Sequence, residues 1–254
     1  MRRAVTTGAL VLLNVLLIVP LALAGYLGFS FWHAERENDR RRQAAADALL
    51  RQARDAADRA ADALTASRDT GADASLAVIR EHTGSPLITH DADRDVFTAV
   101  AARSGRYDPE RTPLGDPGEV ERCFVHTYAR RPGAAWTSAV AERDADVCRA
   151  GDRIDARVRS AGLGMADLDA ERLTRAGVQG VLDPHGLPGD EDRPEARDVE
   201  RKGRTVVALV LFRERYWTPQ EGTVRVAQCY RLTRVTDPGG GAAGPVTAVP
   251  VSVC

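Results

Sequence analysis

The 254-residue sequence predicts an α+β protein: an N-terminal transmembrane helix and helical stalk, then two duplicated α+β units with antiparallel hairpins, each closed by a disulfide. Three observations predict it: an uncharged apolar segment over residues 8–32, an alanine-rich stretch with helical spacing after it, and four cysteines that fall into two equally spaced pairs.

From Gly8 to Trp32 no residue is charged. A helix of that length spans about 37 Å, more than the roughly 30 Å hydrocarbon core of a bilayer. Arg2 and Arg3 supply a basic flank within a short cytoplasmic tail, residues 1–7. Pro20 and Ala22-Leu23-Ala24 before Gly25 resemble a signal-peptide cleavage site, so secretion after cleavage near Ala24 is the alternative to a single-pass signal anchor over 8–32. Tyr26, Phe29, Phe31 and Trp32 favour the anchor, because aromatic side chains suit a membrane interface. Arg36, Arg40, Arg41 and Arg42 beyond the segment leave the charge rule for orientation ambiguous, and the cysteines break the tie. Cys123, Cys148, Cys229 and Cys254 are even in number, all lie past the anchor, and include no CxxC pair. They read as two disulfides in an oxidising compartment, which puts the C-terminal region outside the cytoplasm, in a bacterial-type cell envelope.

Residues 33–66 are rich in Ala, Arg, Asp and Gln, with Leu49, Leu50, Ala53, Ala57, Ala60 and Leu64 at helical spacing. An alanine stripe allows close packing but buries little area, so the stretch fits a helical stalk as well as a helix packed on its own domain.

Cys123 and Cys148 lie 25 residues apart, as do Cys229 and Cys254, and the two pairs are offset by 106. Aligning 120–148 with 226–254 without gaps matches eight of 29 positions, among them Val120/Val226, Thr127/Thr233, Pro132/Pro238 and Gly133/Gly239. Composition alone gives about two or three matches, so an internal repeat is expected. Pairing 123 with 148 and 229 with 254, one of three connectivities, suits hairpins in which each cysteine sits opposite its partner. That register sets Phe124 against Val147 and Tyr230 against Val253, with the second turn at Pro238 to Pro245. In the first unit Ser138 to Arg159 also carries helical spacing, which allows Cys148 to sit on a helix.

Thr205 to Arg215 is the clearest strand, apolar enough to be buried on both faces, and Val96 to Val100 is its counterpart. Short helices are expected at Ala74 to His82 and Ala166 to Ala176, and an exposed loop at Asp183 to Arg197. The units then run over 67–150 and 151–254.

A net charge of −1 gives no general attraction to nucleic acid, and no nucleic-acid partner is expected. No hydrolase elbow, zinc-protease, phosphate-loop or calcium-loop motif occurs, so neither cofactor nor metal is expected and no catalytic residue is assigned. His90-Asp91 with Asp93, and Asp183-Pro184-His185, lack further ligands at metal-site spacing and read as surface loops. His126 reads as a packed strand residue. Arg213, Arg215, Tyr216 and Trp217 form the candidate binding cluster, since arginine and aromatic side chains join area to directed donors. The expected function is a membrane-anchored extracytoplasmic envelope protein acting as a protein- or ligand-binding or structural module, its partners the membrane and another envelope or membrane protein. An extracytoplasmic hydrolase, or a sensor input working with a membrane partner, are the alternatives. A deep pocket with converging His, Asp or Ser favours the enzyme, and a shallow apolar site near Trp217 favours the binding module. The sequence leaves the oligomeric state open.

Overall fold

The computed structural model describes residues 2–69, 71–109, 118–131, 133–184, 191–218, 222–236 and 244–254, apart from the side chains of 2–17 and 218. The elements are α1 (Arg2–Ala66), α2 (Ala72–Thr83), β1 (Leu87–Asp91), β2 (Val96–Tyr107), β3 (Gly118–Arg130), β4 (Trp136–Arg143), α3 (Ala145–Ala166), a 3-10 turn (Ala170–Arg172), α4 (Arg175–Leu182), β5 (Glu195–Lys202), β6 (Thr205–Thr218), β7 (Gly222–Val235) and β8 (Thr247–Val251). Two antiparallel four-stranded sheets form in chain order, β1-β2-β3-β4 and β5-β6-β7-β8. The order long helix, short helix, four strands therefore occurs twice among the described elements.

The chain divides into two compact units, residues 1–48 with 104–120 and residues 49–103 with 121–254. In the first, Arg41 pairs with Glu37 one turn away (3.2 Å) and donates to the Asp108 carbonyl (2.9 Å). A Cβ on Gly118 would come within 2.2 Å of the Tyr107 ring, so the ring lies where glycine leaves room for it.

In the second unit, residues 49–66 are a core helix, the packed alternative for the alanine stripe. Ala53, Ala57 and Ala60 have no exposed surface. Ala57, Ala60, Ala61 and Leu64 cluster with Leu76 and Ile79 of α2 and with Ile88, Phe97, Ala99 and Tyr128 of the first sheet. Small side chains let the helix approach closely, and polar clasps fix its position: the Trp136 amide donates to Thr65 Oγ1 (3.0 Å), and Ser138 donates to Asp58 (2.6 Å). Gly84, at φ 67°, ends α2 by returning its amide to the Arg80 carbonyl (2.8 Å).

Helix α3 carries an apolar stripe, Ile154, Val158, Ala161 and Met165, which packs on alternate residues of β6, Val206, Ala208, Val210 and Phe212. Burying each of the larger side chains stabilises by about 1.5–3 kcal/mol, and each alanine by less. The helix ends against Arg234, a buried side chain that donates to the carbonyls of Met165 (2.7 Å) and Leu168 (2.5 Å). The two sheets are stitched together within this unit. Tyr230 accepts a hydrogen bond from Arg80 and donates to the Pro86 carbonyl (2.5 Å), Arg80 reaches Asp155 (3.4 Å), and Gln228 Oε1 accepts from the Ile88 amide (2.9 Å).

Both expected disulfides form, Cys123 to Cys148 and Cys229 to Cys254. Neither closes the symmetric hairpin that their spacing suggested. Cys123 stands opposite Arg143 and Phe124 opposite Glu142, while Cys148 lies in the first turn of α3. Cys229 stands opposite Val251 and Tyr230 opposite Pro250, and Cys254 reaches back from beyond the strand end. The reason is geometric: a disulfide needs only a Cα separation near 5.5 Å, and a helix start or a strand extension meets that as well as a facing pair does. The boundary expected at 150/151 falls inside α3, whose disulfide end belongs with the first sheet and whose stripe belongs with the second. The helix expected at 166–176 is replaced by the 3-10 turn and α4, because Thr174 caps a helix start by accepting from the Gly177 amide (3.2 Å).

Strand β6 is buried on one face only, since Val207, Leu209 and Leu211 are partly exposed on the other. Among the described residues no helix is long and apolar enough to cross a membrane, so the predicted transmembrane helix is not supported there. Residues 8–17, two fifths of that segment, are outside the described side chains. The loops expected at 183–197 and 238–245, and His185 with them, also fall partly or wholly outside the described residues.

Candidate functional site

The residues expected to form one binding cluster are separated by strand alternation. Arg213, Arg215 and Trp217 point to one face of β6, and Glu214 and Tyr216 to the other. Arg213 is held by Glu195 of β5 (3.3 Å) and Arg215 by Asp192, so both guanidinium groups have carboxylate partners. Trp217 is exposed at the strand end. Glu214 is buried and pairs with Arg153 (2.8 Å) and Arg157 (3.1 Å) of α3, clamping the helix onto the strand.

Tyr216 opens onto a cleft of about 590 Å³, whereas Arg213 lines smaller hollows on the side of Glu191 and Glu195. Leu87 and Thr89 of β1 and Thr98 and Val100 of β2 form one wall. Val125 of β3, Val147 of α3 and Val226 of β7 form the rest, with Arg143 and Asp144 at the link from β4 to α3. The Cys123–Cys148 disulfide builds this site, because it ties the first turn of α3 to β3 (Cα separation 5.6 Å) beside Val147 and Val125. Arg143 makes no ion pair among the described residues. A mostly aliphatic cleft with a few hydroxyls and charges has the size and character of a small-molecule or side-chain binding site.

The strongly displaced titratable groups lie elsewhere. His126 is fully buried on the opposite face of β3 from Val125, and burial, helped by the charge of Arg103, lowers its pKa to about 4. Burial, with the Asp58 carboxylate adding to it, raises the Tyr128 phenol beside it. These groups face the helices α1 and α2 and do not reach the cleft, so their displacement reflects packing. All four cysteines are bonded, and among the described residues no three His, Cys, Asp or Glu side chains converge as a metal site. His90 and Asp91 do not act together either. Asp91 caps the turn by accepting from the Arg94 amide (3.2 Å), and His90 stacks on Phe97.

Sequence reasoning reached Tyr216 but missed Val125, Val147 and Arg143, which look like ordinary strand and helix residues until a disulfide and a sheet junction bring them together.

No family model matches the chain, and no curated protein matches it. Among solved structures, it shows a likeness to an "Ntf2 like protein involved in plasmid conjugation" at 10% identity, covering 66% of this chain and 75% of that one, with a TM-score of 0.16. At that score the likeness bears on neither fold nor function.

Proposed function

We propose that the chain is a membrane-anchored extracytoplasmic envelope protein, built by internal duplication, that works as a non-catalytic binding module. The observation that carries the reading is the aliphatic cleft beside Tyr216, in which no nucleophile, base and acid converge among the described residues. Two disulfides support an oxidising location. The apolar segment 8–32 supports the anchor, and it belongs to the same helix, α1, as the core residues 49–66. The recurring helix and strand order supports duplication of the unit, while the two cysteine pairs occupy different local structures.

The occupant of the cleft is an apolar-bodied ligand or an apolar segment of another envelope protein, with Arg143 available to a negative group. Val147→Trp tests this by filling the cleft from its α3 wall. The full-length variant, purified in detergent with an unchanged melting temperature, is expected to lose what the wild-type protein retains from native envelope extract. Equal retention by both proteins refutes the cleft as the binding site.

A further inference from the structure

A second cavity, of about 160 Å³, lies at one end of the first sheet, beneath the connection from α1 to α2. Its chemistry differs from that of the cleft. Arg130 at the end of β3, Asp95 in the turn before β2, and Asp69 after α1 all line it, together with His90 and the rings of Phe97 and Trp136. A guanidinium and two carboxylates share this small space without forming an ion pair with one another among the described residues. Asp69 spends one oxygen on the Gly71 amide (2.9 Å), and Asp95 stands 3.8 Å from His90 Nε2. Arg130 lies over the Trp136 ring, 5.9 Å from its centroid. His90 stacks face to face on Phe97 (4.1 Å, 7°), which fixes the imidazole plane, and its Nε2 is buried without a hydrogen-bond partner among the described residues. Asp95 holds a positive φ of 51° in the turn between β1 and β2, a left-handed conformation that Asp and Asn adopt more readily than other residues with a side chain.

We propose that this cavity binds a small zwitterion, a molecule of about five to eight heavy atoms carrying one ammonium and one carboxylate, as an amino acid with a short side chain does. The cavity is close to the roughly 150 Å³ that accommodates a benzene ring, which sets the size limit. Arg130 and His90 Nε2 donate to the carboxylate, Asp95 and Asp69 accept from the ammonium, and the indole of Trp136 covers the apolar centre. Opposite charges held apart across one small cavity favour a ligand with both charges over either ion alone, because a single ion leaves half of the lining groups without a partner.

The site is independent of the cleft, and Trp136 reports on it directly. In full-length protein carrying Trp32→Phe and Trp217→Phe, the remaining indole is Trp136, and titration with L-alanine is expected to change its emission saturably. Acetate and methylammonium, each carrying one of the two charges, are expected to bind at least tenfold more weakly. Arg130→Gln is expected to weaken alanine binding at least tenfold. Asp95→Asn does the same while keeping a residue that tolerates positive φ, so the fold is retained. No emission change with alanine, equal responses to acetate or methylammonium, or unaltered binding in Asp95→Asn overturns the proposal.

Discussion

His126 shows how one side chain couples packing to solution conditions. Its ring has no exposed surface, neither nitrogen is hydrogen bonded among the described residues, and Arg103 of β2 adds a positive charge nearby. The unfolded chain takes up a proton near the ordinary value of 6.5, whereas the folded chain resists until about 4. Stability is therefore complete above 6.5 and lost as pH falls from 6.5 toward 4, at about 1.4 kcal/mol per unit and about 3 kcal/mol in all. Thermal melts between pH 7.5 and 4.5 are expected to show this fall, and His126→Leu is expected to flatten it. An equal slope in both proteins assigns the acid sensitivity to another group. At this scale the sequence was readable in part: His126 between Phe124 and Tyr128 reads as packed, and it is. The fate of Arg213 and Arg215 was not readable, because their carboxylate partners, Glu195 and Asp192, come from another segment.

At the scale of elements, helix α3 joins the two sheets. Its first turn is bonded to β3, its stripe lies on β6, Arg153 and Arg157 clamp Glu214, and Arg234 caps its last carbonyls. Its partner α4 fits only because Gly164 lacks a side chain, since a Cβ there would come within 2.1 Å of Val181. Cys123 and Cys148 enclose a loop with a sequence separation of 25. Removing that closure costs about 3.5 kcal/mol in the chain-entropy account. Urea unfolding of the Cys123→Ser, Cys148→Ser double variant is expected to show a loss near that size. A much smaller loss implies that the clamp at Glu214 and the cap at Arg234 suffice to place the helix. The helix periodicity of α3 was visible beside a competing strand reading. The competition was settled by packing, because an apolar stripe at spacings of three and four residues finds a sheet face to cover only as a helix.

For the whole molecule, the proposed anchor makes a direct prediction. Full-length protein is expected to stay with membranes through alkaline carbonate extraction, and a chain restarted at Glu35 to be released. A thiol-alkylating reagent added before reduction is expected to label none of the four cysteines in either form. Release of the full-length chain by carbonate refutes the anchor while leaving export to be judged by the cysteines. Export and anchoring thus rest on separate residues, Cys123, Cys148, Cys229 and Cys254 for one and Gly8 to Trp32 for the other.

The sequence by itself determined the α+β class, the strands β2 and β6, the helix α2 and the apolar segment, and it offered the pairing of both disulfides as one of three connectivities, which the structure selects. Each depends on spacing along the chain, which periodicity and cysteine distance record directly. Only the tertiary structure decided the registers of β3 with β4 and of β7 with β8, the single buried face of β6, and the meeting of Tyr216 with Val147 and Val125. Register follows from the most favourable match of whole faces, and a shift of one residue turns every side chain over. The cleft was hidden for the same reason: its walls come from segments far apart in sequence, and a local pattern carries no record of which face each will share.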